Sequence, residues 1–279
     1  MGATDVALRF VIYAHGAALL GCVALVSAWG AAARRCVAFL AAAGVVLTAA
    51  GILRLASNLS DSGAAFDSGA IRMLLTETPA GWAALTRAAL LSVLAIASFG
   101  RVSRKVALAL ALAASVALVW TGHAAMGDGA AGWTQLIGDA AHLVAGLLWI
   151  GAVGAFMSTA SRQRRATPDL EKRLVRFATI GTALVVVLAA TGIANALFIL
   201  SPAGLRTVGE TLYGRLLMAK IALFAAMLGA AAVNRYRIVP EMAGDGGLTR
   251  LRASLSGELA LGLGILALVA WLGTLDPAA

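Results

Sequence analysis

Charge is what this chain has least of. Only 13% of its 279 residues are Asp, Glu, Lys or Arg, about half the share found in a soluble domain. Aromatic residues make up just 6%, so Ala, Leu, Val and Gly form the bulk. Two cysteines cannot support a disulfide framework, and both fall in helical stretches. There is no Walker A sequence, no CxxC, no HExxH and no pump-ATPase phosphorylation motif. No enzyme class is therefore signalled, and the chain reads as a non-enzyme. What is present is apolar: 61% of the residues, with a mean hydropathy of +0.91. Its 31 glycines suit helices packed closely in lipid. The composition is that of a multi-pass membrane protein.

Eight apolar stretches are long enough to cross a bilayer core of about 30 Å as helices. They are Val6–Ala33, Val37–Ser57, Ala80–Phe99, Val106–Met126, Gln135–Ser158, Leu174–Leu200, Tyr213–Tyr236 and Leu255–Thr274. The first is not read as a cleaved signal peptide, because it opens on Asp5 and its apolar run is too long. Between the second and third, Ile71, Leu74 and Leu75 around Arg72 outline a short helix lying on the membrane surface.

The net charge of +9 suggests nucleic acid until the charges are placed. Arg34, Arg35, Arg101, Arg104, Lys105, Arg162, Arg164, Arg165, Lys172, Arg173, Arg176, Arg235, Arg237, Arg250 and Arg252 all fall in one set of loops and flanks. Those loops are cytoplasmic by the positive-inside rule, which puts both termini outside. The basic loops need no nucleic acid to explain them; the implied partner is the lipid bilayer, and self-association is left open.

The halves repeat one another. Glu77-Thr78-x-x-Gly81-x5-Arg87 matches Glu210-Thr211-x-x-Gly214-x5-Lys220, and Ala14-His15-x-x-Ala18 matches Ala141-His142-x-x-Ala145. Val45-Val46-Leu47 ahead of Gly51-Ile52 matches Val186-Val187-Leu188 ahead of Gly192-Ile193, and Trp120-x-Gly122 matches Trp271-x-Gly273. An even number of crossings per unit keeps both copies in one orientation. The expectation is one eight-helix domain over 1–279, made of parallel repeats 1–130 and 131–279, with a site at their interface.

Polar groups inside a membrane are costly and invite a functional reading. All three histidines, His15, His123 and His142, fall in the outer half of a stretch. Asp139 stands one turn from His142, Met126 one turn from His123, and Cys22 two turns inward of His15. Imidazole, carboxylate and soft sulfur together suit copper, with sulfur favouring Cu(I). Single intramembrane histidines also hydrogen-bond neighbouring helices, and Met126 and Cys22 are also packing residues. Arg87 and Lys220 sit at matching depths in the repeats, with Arg54 nearer the surface. Glu77, Glu210 and Asp139 are their candidate charge partners. Because buried cations repel a metal ion, an alternative is a haem-binding redox protein, with two histidines on haem b and the basic residues on its propionates.

Several of these segments resemble the CopD/PcoD copper-resistance D family of bacterial inner-membrane proteins. They are Thr121-Gly122-His123-Ala124, Asp139-x-x-His142 running to Trp149-Ile150-Gly151, and Thr78-x-x-Gly81-Trp82 running to Arg87. Tyr213-Gly214-Arg215-Leu216-Leu217-Met218-Ala219-Lys220 is the most specific, followed by Asn234-Arg235, Glu258 and a terminal Pro277. The resemblance spans essentially the whole chain. It implies eight helices and copper uptake across the inner membrane with a periplasmic CopC-type copper carrier, expected here as a separate protein. Four-helix relatives tied to haem in the wider superfamily keep the haem alternative open.

Overall fold

The computed structural model describes residues 2–26, 28–60, 66–121, 129–199 and 208–275. Among them there are helices and turns and no strand. In chain order the helices are α1 (Ala3–Leu25), α2 (Ala31–Leu59), α3 (Ser68–Glu77), α4 (Pro79–Phe99), α5 (Arg104–Val116), α6 (Gly129–Arg162), α7 (Pro168–Ile199), α8 (Leu212–Val233) and α9 (Gly247–Leu272). Seven of them, all but α3 and α5, are long and apolar enough to cross a membrane. Phe39, Val46, Ile96, Val186, Ile193 and Ile221 stand exposed along these helices. Such a surface is a liability in water and ordinary against lipid.

The first expected stretch needs correction. It runs apolar to Ala33, yet α1 stops at Leu25, where Val26 turns extended, and α2 starts after Gly30. Hydrophobicity alone cannot mark such a break. Carbonyls at the end of α1 are claimed by side chains from elsewhere: Arg104 donates to Val23 and Ala24, and Arg173 to Leu25. Cations at a helix C-terminus satisfy orphan carbonyls and oppose the negative end of the helix dipole. Arg252 does the same for Ala160 and Gln163 at the end of α6.

The fourth stretch also differs. As α5 it is regular for 13 residues, then tightens into a 3-10 turn over Ala117–Thr121. Arg87 accounts for the place of the change, because its Nη1 donates to the Ala114 carbonyl at 3.0 Å, at the end of the α5 ladder.

The expected short helix between the second and third stretches is present as α3, capped by Asp67, whose carboxylate accepts from the amides of Gly69 (2.9 Å) and Ala70 (3.1 Å). Those amides and the Ser60 hydroxyl hold its carboxyl below the usual carboxylate range. Leu74 is its one buried residue, so α3 docks on the bundle through that side chain.

The two Glu-Thr-x-x-Gly segments make the same local structure. Thr78 caps α4 by accepting from the Gly81 amide, and Thr211 caps α8 by accepting from the Gly214 amide, both at 3.0 Å. Each glycine lies against a carbonyl of the preceding segment, Leu74 for Gly81 and Val208 for Gly214, where a Cβ would collide.

At the centre α1 packs against α2, α6, α9 and α5. Gly21 and Ala17 of α1 meet Gly151 of α6 backbone to backbone, with no room for a Cβ on either glycine. Around this crossing Leu19, Leu20, Val23, Leu147, Ile150 and Phe156 form the buried core. By contrast α7 leans chiefly on α6, and α8 on α9.

Candidate functional site

A cavity of about 520 Å³ fills the space between α6, α7, α8 and α9, closed on one side by α1 and the 3-10 turn after α5. Its wall is mostly aliphatic, with polar groups from Arg9, Asp139, His142, Asn195, Tyr213 and Lys220. Few convergent polar groups in an apolar pocket are the usual form of a ligand site.

His142 is the best-oriented of these. Its Nδ1 lies 2.9 Å from Thr191 Oγ1 on α7. The Thr191 hydroxyl spends its proton on the Val187 carbonyl at 2.5 Å, so it accepts from the imidazole. With the hydroxyl proton so placed, the pair assigns the ring proton to Nδ1 and the lone pair to Nε2, on a residue that lines the cavity. Orienting a ligating imidazole through its other nitrogen is how metal-binding histidines are commonly held. Gly192 on α7 lets the ring sit close, since a Cβ there would lie 3.3 Å from His142 Cε1. Asp139 and Lys220 line the same cavity, near enough for their opposite charges to interact.

His15 occupies a different setting. It is buried between α1 and α2, where its Nε2 donates to the Leu40 carbonyl at 2.7 Å. Its Nδ1 is buried with no partner among the described residues. Gly44 makes the room, because a Cβ there would come within 2.7 Å of the ring. Since His142 lines the cavity and His15 does not, the paired axial histidines of the haem alternative find no support here.

The charge partners also sort out. Arg87 is 4% exposed; besides Ala114 it donates from Nε to Thr48 Oγ1 at 3.1 Å. It lines a second, smaller cavity of about 130 Å³ with Tyr13, Arg54 and Asp5. Arg54 is paired with Asp5, Nε to Oδ1 at 2.8 Å, and Asn58 donates to the same carboxylate. Glu77 and Glu210 are exposed where α4 and α8 begin, and among the described residues no ion pair joins them to Arg87 or Lys220.

Among the described residues no three of His, Cys, Asp and Glu converge as a metal cage. The structure joins Asp139 and His142 on one wall and sets His15 apart. Cys22 lies beside Cys36 of α2. His123 and Met126 lie outside the described residues. Reading the sequence missed Asn195, whose Oδ1 is buried without a partner among the described residues. A lone Asn inside an apolar stretch was the available signal. Thr191 gave no signal, because a threonine in a helix commonly bonds its own backbone.

Residues 171–272 match the family described as copper resistance protein D, and residues 2–133 match the copper resistance protein D-like N-terminal domain. The chain is 35% identical to Copper resistance protein D of Pseudomonas syringae pv. tomato over 221 residues, covering 74% of this chain and 71% of that one. It is 28% identical to Inner membrane protein YebZ of Escherichia coli (strain K12) over 171 residues, covering 58% and 56%. No solved structure matches it. The chain is a multi-pass membrane protein and belongs to the copper resistance protein D family.

Proposed function

We propose that this protein accepts copper at the outer face of the bacterial inner membrane and moves it inward, with His142 as the first intramembrane ligand. The observation that carries the reading is the His142–Thr191 pair, which leaves Nε2 with its lone pair on a residue lining the cavity of about 520 Å³. Asp139 offsets the charge of Lys220 on the same wall, so a cation approaching Nε2 meets less repulsion than Lys220 alone would impose. His15, with an unpartnered Nδ1, is the next station, and His123 and Met126 complete the outer ligand set.

In this reading α5 and its 3-10 turn form an eighth crossing, both termini face outward, and the halves are parallel repeats. The supplier is a separate periplasmic copper carrier of the CopC type. The protein performs no catalysis; the membrane potential contributes about 2.3 kcal/mol per charge per 100 mV to inward movement. Successive weak sites, rather than one tight cage, permit release.

The test is cellular copper content in strains carrying His142→Ala, His15→Ala or both, at matched protein levels. Each single variant is expected to lower copper accumulation, and the double variant to abolish the protein's contribution. Unchanged accumulation and unchanged bound copper in the double variant would end this reading.

A further inference from the structure

The end of the bundle opposite the cavity's outer ligands holds a second group of metal-binding atoms. Cys22, in the last turns of α1, and Cys36, near the start of α2, face each other with their Sγ atoms 3.6 Å apart. Both are free thiols. A disulfide would bring the sulfurs to about 2.05 Å. Two metal–sulfur bonds of about 2.3 Å span about 3.8 Å at the tetrahedral angle and about 4.6 Å in line. The thiols are thus in contact, and a two-coordinate ion between them has the sulfurs part by about 1 Å.

The surroundings hold this spacing. Arg104 and Arg173 bind the carbonyls of Val23, Ala24 and Leu25, directly after Cys22. Trp29 Nε1 donates to the Val102 carbonyl at 2.9 Å, tying the α1–α2 connection to the start of α5. Cys36 is exposed on the surface of the bundle. Arg34 and Arg35 share its part of the helix, and Arg34 Nε is buried without a hydrogen-bond partner among the described residues. This is also the end that gathers the basic loops. In the reducing cytoplasm such thiols stay reduced and available.

We infer that Cys22 and Cys36 form a two-thiolate site for Cu(I) at the cytoplasmic end of α1 and α2. Thiolate pairs select soft monovalent copper over hard cations. Binding involves no change in oxidation state: two S–H protons leave to water, two S–Cu bonds form, and the resulting bis-thiolate centre carries one net negative charge. Arg34 and Arg35 supply opposite charge in the same stretch of helix. The inference deepens the copper reading above by giving the ion a sulfur site at its exit.

The test uses the purified full-length protein, reduced and kept anaerobic, titrated with Cu(I) against the chromophoric chelator bathocuproine disulfonate. X-ray absorption at the copper edge is recorded in parallel. Cys22→Ser and Cys36→Ser are each expected to withhold one fewer Cu(I) per chain than the wild type and to lose the two-sulfur scattering. The exposed position of Cys36 keeps its variant foldable, and His142→Ala is expected to retain the sulfur-bound ion. The inference is overturned if Cys36→Ser withholds as much Cu(I) as the wild type with unchanged sulfur scattering. It is equally overturned if thiol alkylation in intact cells finds the two cysteines already joined. Normal copper accumulation in the histidine variants, with sulfur-bound Cu(I) lost only in the cysteine variants, would remove the entry reading and leave this site standing.

Discussion

At the scale of single residues, the chemistry of His142 depends on a hydroxyl one helix away. Thr191→Val removes the acceptor for Nδ1–H while keeping the side-chain shape. Disturbing a partner that orients a ligating histidine typically weakens metal binding 10- to 100-fold. Copper retention by Thr191→Val is therefore expected to fall by about tenfold or more, and Thr191→Ser to restore it, measured by equilibrium dialysis of the purified variants. Equal retention in Val and Ser variants would show that the threonine does not orient the ring. The histidines stood out in the sequence because an imidazole in a long apolar stretch is costly, but one that only bonds a neighbouring helix, as His15 bonds Leu40, gives the same signal. Thr191 was not, since its role exists only once α6 and α7 are side by side. The Cys22–Cys36 pair was hidden for a related reason: extending the first apolar stretch to Ala33 removes the bend after Leu25 that turns α2 back along α1.

At the scale of elements, the repeated Glu-Thr-x-x-Gly segments behave as two copies of one helix start. Each threonine satisfies one orphan amide, so Thr78→Ala and Thr211→Ala should each cost about 1 kcal/mol. Gly81→Ala and Gly214→Ala should cost more, because the new Cβ meets the carbonyl of Leu74 or Val208 and the helix start has to move. Unfolding midpoints of the four variants in mixed detergent measure this, with each glycine variant expected below its threonine counterpart. The reverse ranking would mean that close backbone approach is not what the glycines provide. Helix existence was legible from apolar length, whereas these two segments showed in the sequence as a repeat and not as helix starts. What composition did not show was where the regular part of α5 stops. Its irregular end is set by the guanidinium of Arg87, a residue of α4, bonded to the Ala114 carbonyl, and a side chain arriving from another helix leaves no mark on local hydropathy.

At the scale of the whole molecule, α1 and α6 form a spine against which α2, α5, α7 and α9 pack, and their contact tolerates no side chain at Gly21 or Gly151. Gly151→Val should push the two helices apart and disturb the cavity wall, since Trp149 and Ile150 beside it line that cavity. The expected result is lower stability together with lost copper retention, whereas Gly229→Val, where a Cβ meets nothing, should change neither.

The number of crossings turns on α5, the element that separates seven from eight. Its 13 helical residues rise about 20 Å and the five of the 3-10 turn about 10 Å more. The total of about 30 Å equals the thickness of a bilayer core, which is the length the proposed eighth crossing requires of this short element. An eighth crossing puts the two termini on the same side, and seven would put them on opposite sides. In the orientation proposed from the positive-inside rule, the loops carrying Arg104, Arg173 and Arg252, which hold the ends of α1 and α6, are the cytoplasmic ones. Reporter enzymes active only outside the membrane, fused at either terminus, are expected to be active in both positions. Activity at one terminus alone would reduce α5 to a re-entrant element and place part of the basic end on the wrong side of the membrane. In that case the thiol pair would no longer be an exit toward the cytoplasm.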